Sequence, residues 1–418
     1  MFQSIRHLRP MKRLVLILIV LLVASITVAQ DDATEEPAGD AGDIPPILEL
    51  LALVPDQSQF TDQELIGFSD FRAQIATREG VSEYDSWVDF EAAREAEDES
   101  SRLLLNALGF SGYPSANYLM SSGSEMPAAV GFDFFDIDAA LSFGRPPGQV
   151  QLLQGDFDTD QVDAALNENG YVTDDLNGLT YWCPEAGCDT GSEVNMDNIN
   201  PANPFGGDLG RSFPVVMMDT ALAASPSNPN VEAVAEAYQD ETDSLADDAR
   251  YQTAVAAMYS PFADGEVDAQ LRQAYFVPTV FLAASDPLAA AIFAPDALEQ
   301  LREQLESENT ASLPLYQLAA FTDFGTTEQQ YAQVVLIYGL EADAQTAIEM
   351  IPKRIDSFDS IVMQRPIAEL FEERSAELLD PMLYTDDETG LYAAVFTFEY
   401  PAASNEEDDF GLVQMSGM

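Results

Sequence analysis

Asp156, Asp158 and Asp160 alternate along the chain, and Asp163 follows them. Alternating carboxylates on a turn can wrap calcium, because the ion collects many oxygen ligands. The complete loop wants a glycine midway and a bidentate glutamate at its end. Gln161 and Asn167 stand at those places. The spacing therefore predicts a strand end followed by a helix cap, with Asp156, Asp158 and Asp160 as a weak calcium site. Asp133, Asp136 and Asp138, though not strictly alternating, invite the same reading. The two stretches share F-D-x-x-x-[I/V]-D-A-A-L, from Phe132 and from Phe157, 25 residues apart. Both read as helix starts, with acid at the favourable N-terminal end.

Cys183 and Cys188 enclose Pro184-Glu185-Ala186-Gly187. Proline and glycine favour a tight turn, and an oxidising compartment would pair the two thiols. Asp189-Thr190-Gly191-Ser192 resembles the D-T-G-S motif of aspartic proteases. The resemblance covers four residues. Such proteases need two carboxylates sharing one proton, and Asp219-Thr220-Ala221 lacks the glycine a second copy requires. A paired-carboxylate glycosidase needs no other residue type. Yet 73 acids single out no pair, and sugar-stacking tryptophan is limited to Trp87 and Trp182. No catalytic residue is assigned.

What is missing excludes more. The 418 residues carry 17 Lys+Arg against 73 Asp+Glu, a net charge of −56, with one histidine, His7. Arg6, Arg9, Lys12 and Arg13 precede an apolar run from Leu14 to Ala29 that ends in Thr27-Val28-Ala29. A basic start, a short apolar stretch and a small-residue exit predict a secretory signal peptide over 1–29. An uncleaved N-terminal anchor is the alternative, and the one expected route to a membrane. Cleavage leaves 389 residues with 13 basic and 73 acidic side chains, no histidine, and Lys353 as the only lysine. A Ser-His-Asp triad, a Cys-His pair and histidine-ligated zinc are then excluded. Nucleic acid is an unsuitable partner, because phosphate contacts need clustered Lys and Arg. No cofactor is expected beyond weakly held calcium. The acid excess reads as a solubilising surface suited to saline surroundings.

The elements follow from periodicity. Residues 30–46 are an acidic flexible linker without apolar spacing. Residues 47–195 read as a helical region followed by a first α+β unit. Leu65, Phe68, Phe71 and Ile75 predict a helix within Thr61–Arg78, and a charged helix follows from Glu91. Gln149–Phe157 and Leu179–Cys183 read as strands flanking a helix capped by Asp158 or Asp160. Residues 196–212 form a polar loop or boundary. Residues 213–402 form the second α+β unit or units, with helices at Val231–Tyr238, Ser244–Met258 and Asp296–Glu306. Its last part has strands at Tyr331–Tyr338 and Leu391–Tyr400, with helices between. Residues 403–418 are an acidic tail. The fold class is α+β: two sheet-plus-helix units, mostly antiparallel and loosely ferredoxin-like, with a helical N-terminal region.

Function is expected to be binding or structural. The sequence describes an exported, acidic, non-catalytic protein of the cell envelope or extracellular space. Its partner is a protein or small molecule of unknown identity. A carboxylate-dependent hydrolase and a solute-binding protein are the alternatives.

Overall fold

The computed structural model describes residues 44–57, 60, 65–108, 123–145, 147–265, 267–278, 313–357, 359–360 and 365–401. The signal peptide, most of the acidic linker, the Asp296–Glu306 helix and the acidic tail lie outside the described residues.

The N-terminal region is not all helical. After α1 (Pro46–Leu51) comes a strand, β1 (Ile66–Asp70), and only then α2 (Phe71–Ala76). The Leu65/Phe68/Phe71/Ile75 spacing misled because two periods overlap. Ile66 and Phe68 alternate towards one sheet face and Gly67 and Ser69 towards the other. Asp70 then ends the strand and caps the helix by accepting from Ala73 N at 2.7 Å. The charged helix is two, α3 (Trp87–Glu95) and α4 (Glu99–Leu108), with Glu97 between them at φ 55°. A short α5 (Met126–Val130) follows.

Of the two F-D motifs, only the second starts a helix. Asp133 caps a 3-10 turn, Phe134–Asp136, and the chain continues as β2 (Ile137–Phe143). β3 (Val150–Gly155) leads to α6 (Thr159–Glu168), capped by Asp158. Then come β4 (Tyr171–Leu176), β5 (Leu179–Pro184), β6 (Val215–Met217), β7 (Ala221–Ala224), α7 (Asn228–Tyr238) and α8 (Ala249–Tyr259). The helix predicted over Ser244–Met258 is α8, which begins only at Ala249 and is capped by Asp248. The last part holds β8 (Gln270–Pro278), β9 (Leu318–Gly325), β10 (Gln329–Tyr338), α9 (Glu341–Ser357), β11 (Asp359–Ser360) and β12 (Arg365–Pro366). It ends with α10 (Ile367–Glu373), β13 (Glu377–Leu378), β14 (Met382–Thr385) and β15 (Tyr392–Pro401).

The protein is α+β, but the strands do not form two ferredoxin-like units. Thirteen of them make one sheet in the order β13-β15-β10-β9-β8-β1-β2-β3-β7-β6-β5-β4, with β14 also beside β15. Every neighbouring pair is antiparallel. β3 and β4, joined by α6, are separated by β7, β6 and β5. A ferredoxin-like unit would set them closer. The pattern instead spreads outward from the β1–β8 pair, as β1-β2-β3-β7 on one side and β8-β9-β10-β15 on the other. In each half a hairpin is followed by a helix, α6 or α9.

Register assigns the sheet's two faces. The first face carries Phe68, Leu141, Leu152, Phe276, Val335 and Val395, packed with α1, α7 and α8 into one apolar cluster. The second face carries two separate clusters. Helices α2 to α6 cover β2, β3, β5, β6 and β7 through residues such as Phe71, Phe90, Leu104 and Val162. Helix α9 covers β9, β10 and β15 through Ala344 and Ala347. Each large apolar side chain so buried stabilises the fold by about 1.5–3 kcal/mol. Between the two clusters, over β1, β8 and β9, the second face turns polar.

Candidate functional site: a polar seam at the centre of the sheet

One row of paired residues crosses the second face through Met217, Leu222, Leu153, Ala140, Ser69, Gln273, Asp323, Ala332 and Phe398. It is apolar at both ends and polar in the middle, where the halves meet. In the next row Ser142, Gly67 and Tyr275 are neighbours. Ser69, Ser142, Gln273 and Asp323 are all buried.

A bulge in β8 between Leu271 and Gln273 admits one extra residue, Arg272. Its side chain is 2% exposed and donates from Nη2 to Asp323 Oδ1 at 2.6 Å, with Gln330 Oε1 at 3.4 Å. Gly325 makes the room: a Cβ there would stand 2.9 Å from Arg272 Nη1. Tyr400 reaches Asp323 Oδ1 at 3.5 Å. Burial, then the Asp323 carboxylate, pushes the Tyr275 hydroxyl up to about 12, so it stays protonated at neutral pH. From α2, Gln74 donates Nε2 to the Arg272 carbonyl at 3.3 Å.

Among the described residues, Ser69 Oγ and Gln74 Oε1 meet no hydrogen-bond partner, although the residues are only 1% and 2% exposed. A buried polar atom left so costs about 1–3 kcal/mol. The first face offers a contrast. There Thr322, Gln333 and Thr397 are equally buried but bond each other, at 3.0 Å and 3.3 Å, and the network closes. The seam presents a hydroxyl and an amide oxygen to whatever lies against them. It can accept from N–H or O–H groups, and the Ser69 hydroxyl can also donate.

The residues singled out in the sequence lie elsewhere. Asp158 is spent as a cap, accepting from Asp160 N at 2.9 Å and Gln161 N at 3.1 Å. The bond from the Gln161 side chain, then those from the Gln161 and Asp160 amides, hold its carboxyl below the usual range. Asp156, Asp158 and Asp160 are all exposed. Among the described residues no three His, Cys, Asp or Glu side chains are grouped so as to hold a metal ion. Cys183 and Cys188 form a disulfide with a Cα–Cα distance of 4.8 Å. It closes the turn at the end of β5, where Gly187 N bonds Pro184 O at 2.8 Å. Asp189 and Asp219 are both exposed, unlike a proton-sharing pair.

A second charged group sits at the ends of β1, β2 and β3. Asp70, Asp136 and Asp138 gather there with Arg72, whose Nε bonds Asp138. Gly155 permits this crowding, since a Cβ would fall 2.0 Å from Asp136 O. Burial, and then the neighbouring Asp138 charge, raises the Asp70 carboxyl to about 6 against the hydrogen bond from Ala73. Burial also raises Asp136 and Asp138, with neighbouring carboxylates adding to it.

No family model and no curated protein matches the chain. Two solved structures, crystal forms III and I of TP0453, are similar to it at 7% and 8% identity. Each covers 85% of this chain, with 94% and 93% of its own length matched, and has a TM-score of 0.32. Likeness at that level carries no argument. Among the described residues no helix is long and apolar enough to cross a membrane.

Proposed function

We propose that the chain is an exported, non-catalytic binding protein that holds a small polar ligand against the seam. The observation that carries this reading is the pair of orphaned buried atoms, Ser69 Oγ and Gln74 Oε1. They lie where two helical layers leave a polar strip on one sheet face. A ligand offering N–H or O–H donors would offset a cost that the described residues leave open. Export is supported by the basic and apolar pattern of residues 6–29. The non-catalytic reading is supported by the lack of histidine after that segment. Of the kinds of binding protein, a solute-binding protein accords best with a polar strip between two separately packed layers.

The test is native mass spectrometry of the protein isolated from its own source, beside Ser69→Ala and Gln74→Met variants. A non-covalent adduct on the parent that is lost from both variants supports the proposal. A parent without adduct, together with variants stabilised by about 1 kcal/mol or more, would overturn it. Idle buried polar atoms are improved by removal.

A further inference from the structure

The connection between β5 and β6, residues 185–214, is far longer than the roughly 15 residues beyond which loops usually carry function. It is also firmly built. Asn200 N bonds Gly207 O at 2.9 Å, Gly207 N bonds Asn203 O at 3.0 Å, and Phe213 N bonds Phe205 O at 3.0 Å. Phe205 is fully buried beneath it, and Asn203 donates Nδ2 to the Tyr171 hydroxyl at 3.3 Å. This ordered loop nevertheless turns apolar side chains outward. Val194 is 56% exposed, Met196 67%, Ile199 43% and Leu209 41%.

Two 3-10 turns, Met196–Asn198 and Gly207–Leu209, pack on each other. A Cβ on Gly210 would lie 1.8 Å from Asn195 O and 3.2 Å from Asn198 C. That approach holds the backbone around Asn195 and Asn198 against Gly210, so the turns that carry Met196 and Leu209 adjoin, with Ile199 next in the chain. Exposed acids flank them: Glu193, Asp197 and Asp208. The one base of the loop, Arg211, is committed inward, over the Phe213 ring at 5.1 Å.

We infer that the loop 191–212 is a docking surface for a basic, amphipathic segment of another protein. Apolar side chains grouped on a rigid surface mark an interaction site. The charge chooses the partner. A second copy of a chain with net charge −56 would be repelled, and so would an anionic membrane. A segment with Lys or Arg beside an apolar stripe meets both the acids and the apolar patch. The surface is independent of the seam.

The probe is a synthetic Leu/Lys peptide with one apolar helical face, read by fluorescence anisotropy at about 0.15 M salt. Its control is the same peptide with Leu replaced by Ser. The triple variant Met196→Ser, Ile199→Ser and Leu209→Ser should bind the Leu/Lys peptide about tenfold more weakly or worse. Its binding of the Ser/Lys peptide should not change. Glu193→Gln, Asp197→Asn and Asp208→Asn together should weaken both peptides. Val88→Ser with Leu340→Ser, isolated exposed positions elsewhere, should change neither, and Ser69→Ala likewise. The inference is overturned if the triple variant binds the Leu/Lys peptide as the parent does. It is equally overturned if the Val88/Leu340 variant loses as much, or if neutralising the acids has no effect.

Discussion

Asp70→Asn should stabilise the protein at neutral pH and cancel part of its pH dependence. The Asp70 carboxyl rises from 3.8 to about 6, chiefly by burial, with the Asp138 charge adding to it. Two units correspond to about 3 kcal/mol at roughly 1.4 kcal/mol each. The group is half-buried, and solvent screening reduces this to about 2 kcal/mol. The sign follows from proton uptake. Between 3.8 and about 6 the folded chain holds a proton that the unfolded chain has lost. Stability from this group is therefore complete below 3.8 and lost as pH rises through about 6. Asparagine keeps an oxygen for the Ala73 N–H and ranks with aspartate as a helix cap. It carries no charge to bury. Urea unfolding, followed by the emission of the buried Trp87 and Trp182, should show the variant ahead by about 2 kcal/mol above pH 7. The gap should close near pH 4. Titration of the other acids acts on both proteins and drops out of the difference. A variant less stable than the parent at neutral pH, or a gap unchanged by acid, would refute the reasoning.

Three further outcomes are expected. Arg272→Leu removes the 2.6 Å partner of buried Asp323 and should cost about 3–5 kcal/mol, while adding Asp323→Leu should recover most of it. A single-variant loss under about 1 kcal/mol in denaturant melts would count against a desolvated pair. Asp386 joins the β14–β15 turn to α8, bonding Thr253 Oγ1 at 2.8 Å and the Glu388 and Thr389 amides at 3.0 and 3.2 Å. Asp386→Ala should cost about 1–3 kcal/mol. Burial opposes ionisation there, but the bonds from Thr253 and Thr389 prevail and lower the Asp386 pKa. The cost should therefore shrink as pH falls below the ordinary carboxylate range, the reverse of Asp70. Reducing Cys183–Cys188 opens a small ring, with a sequence separation of 5, worth about 2 kcal/mol. Calorimetry should find the midpoint lower by about 2–4 °C, and a collapse of the fold would contradict so local a role.

Much of the fold was legible because single strands and helices are written locally. Val150–Gly155, the Asp158 cap and Leu179–Pro184 stand where alternation and capping place them. The helix Glu341–Ser357 runs on through Pro352, although an interior proline removes one helical hydrogen bond. What failed was short or ambiguous. Ile66–Asp70 hid within a helical spacing, and Ala221–Ala224 is too short and small to show a period. Strand order was the larger loss. β1 pairs with β8 across some 200 residues, and the Gln74–Arg272 bond spans a separation of 198. No local pattern encodes such a partner.

The seam was invisible for the same reason, and its composition alone would not have exposed it. Thr322, Gln333 and Thr397 on one face look no different in sequence from Ser69, Gln273 and Asp323 on the other. Each is a polar residue at an inward position of a strand. The difference lies in satisfaction: the first three bond one another across β9, β10 and β15, whereas the second group leaves Ser69 Oγ without a partner among the described residues. A closed network fixes register and needs nothing more. An open one has a reason to persist only if something else completes it. The acids that dominate the sequence did not mark the site, because most of them are solvated. The informative polar residues are those, such as Ser69 and Gln74, for which the fold gave up water and the described residues supply no partner in return.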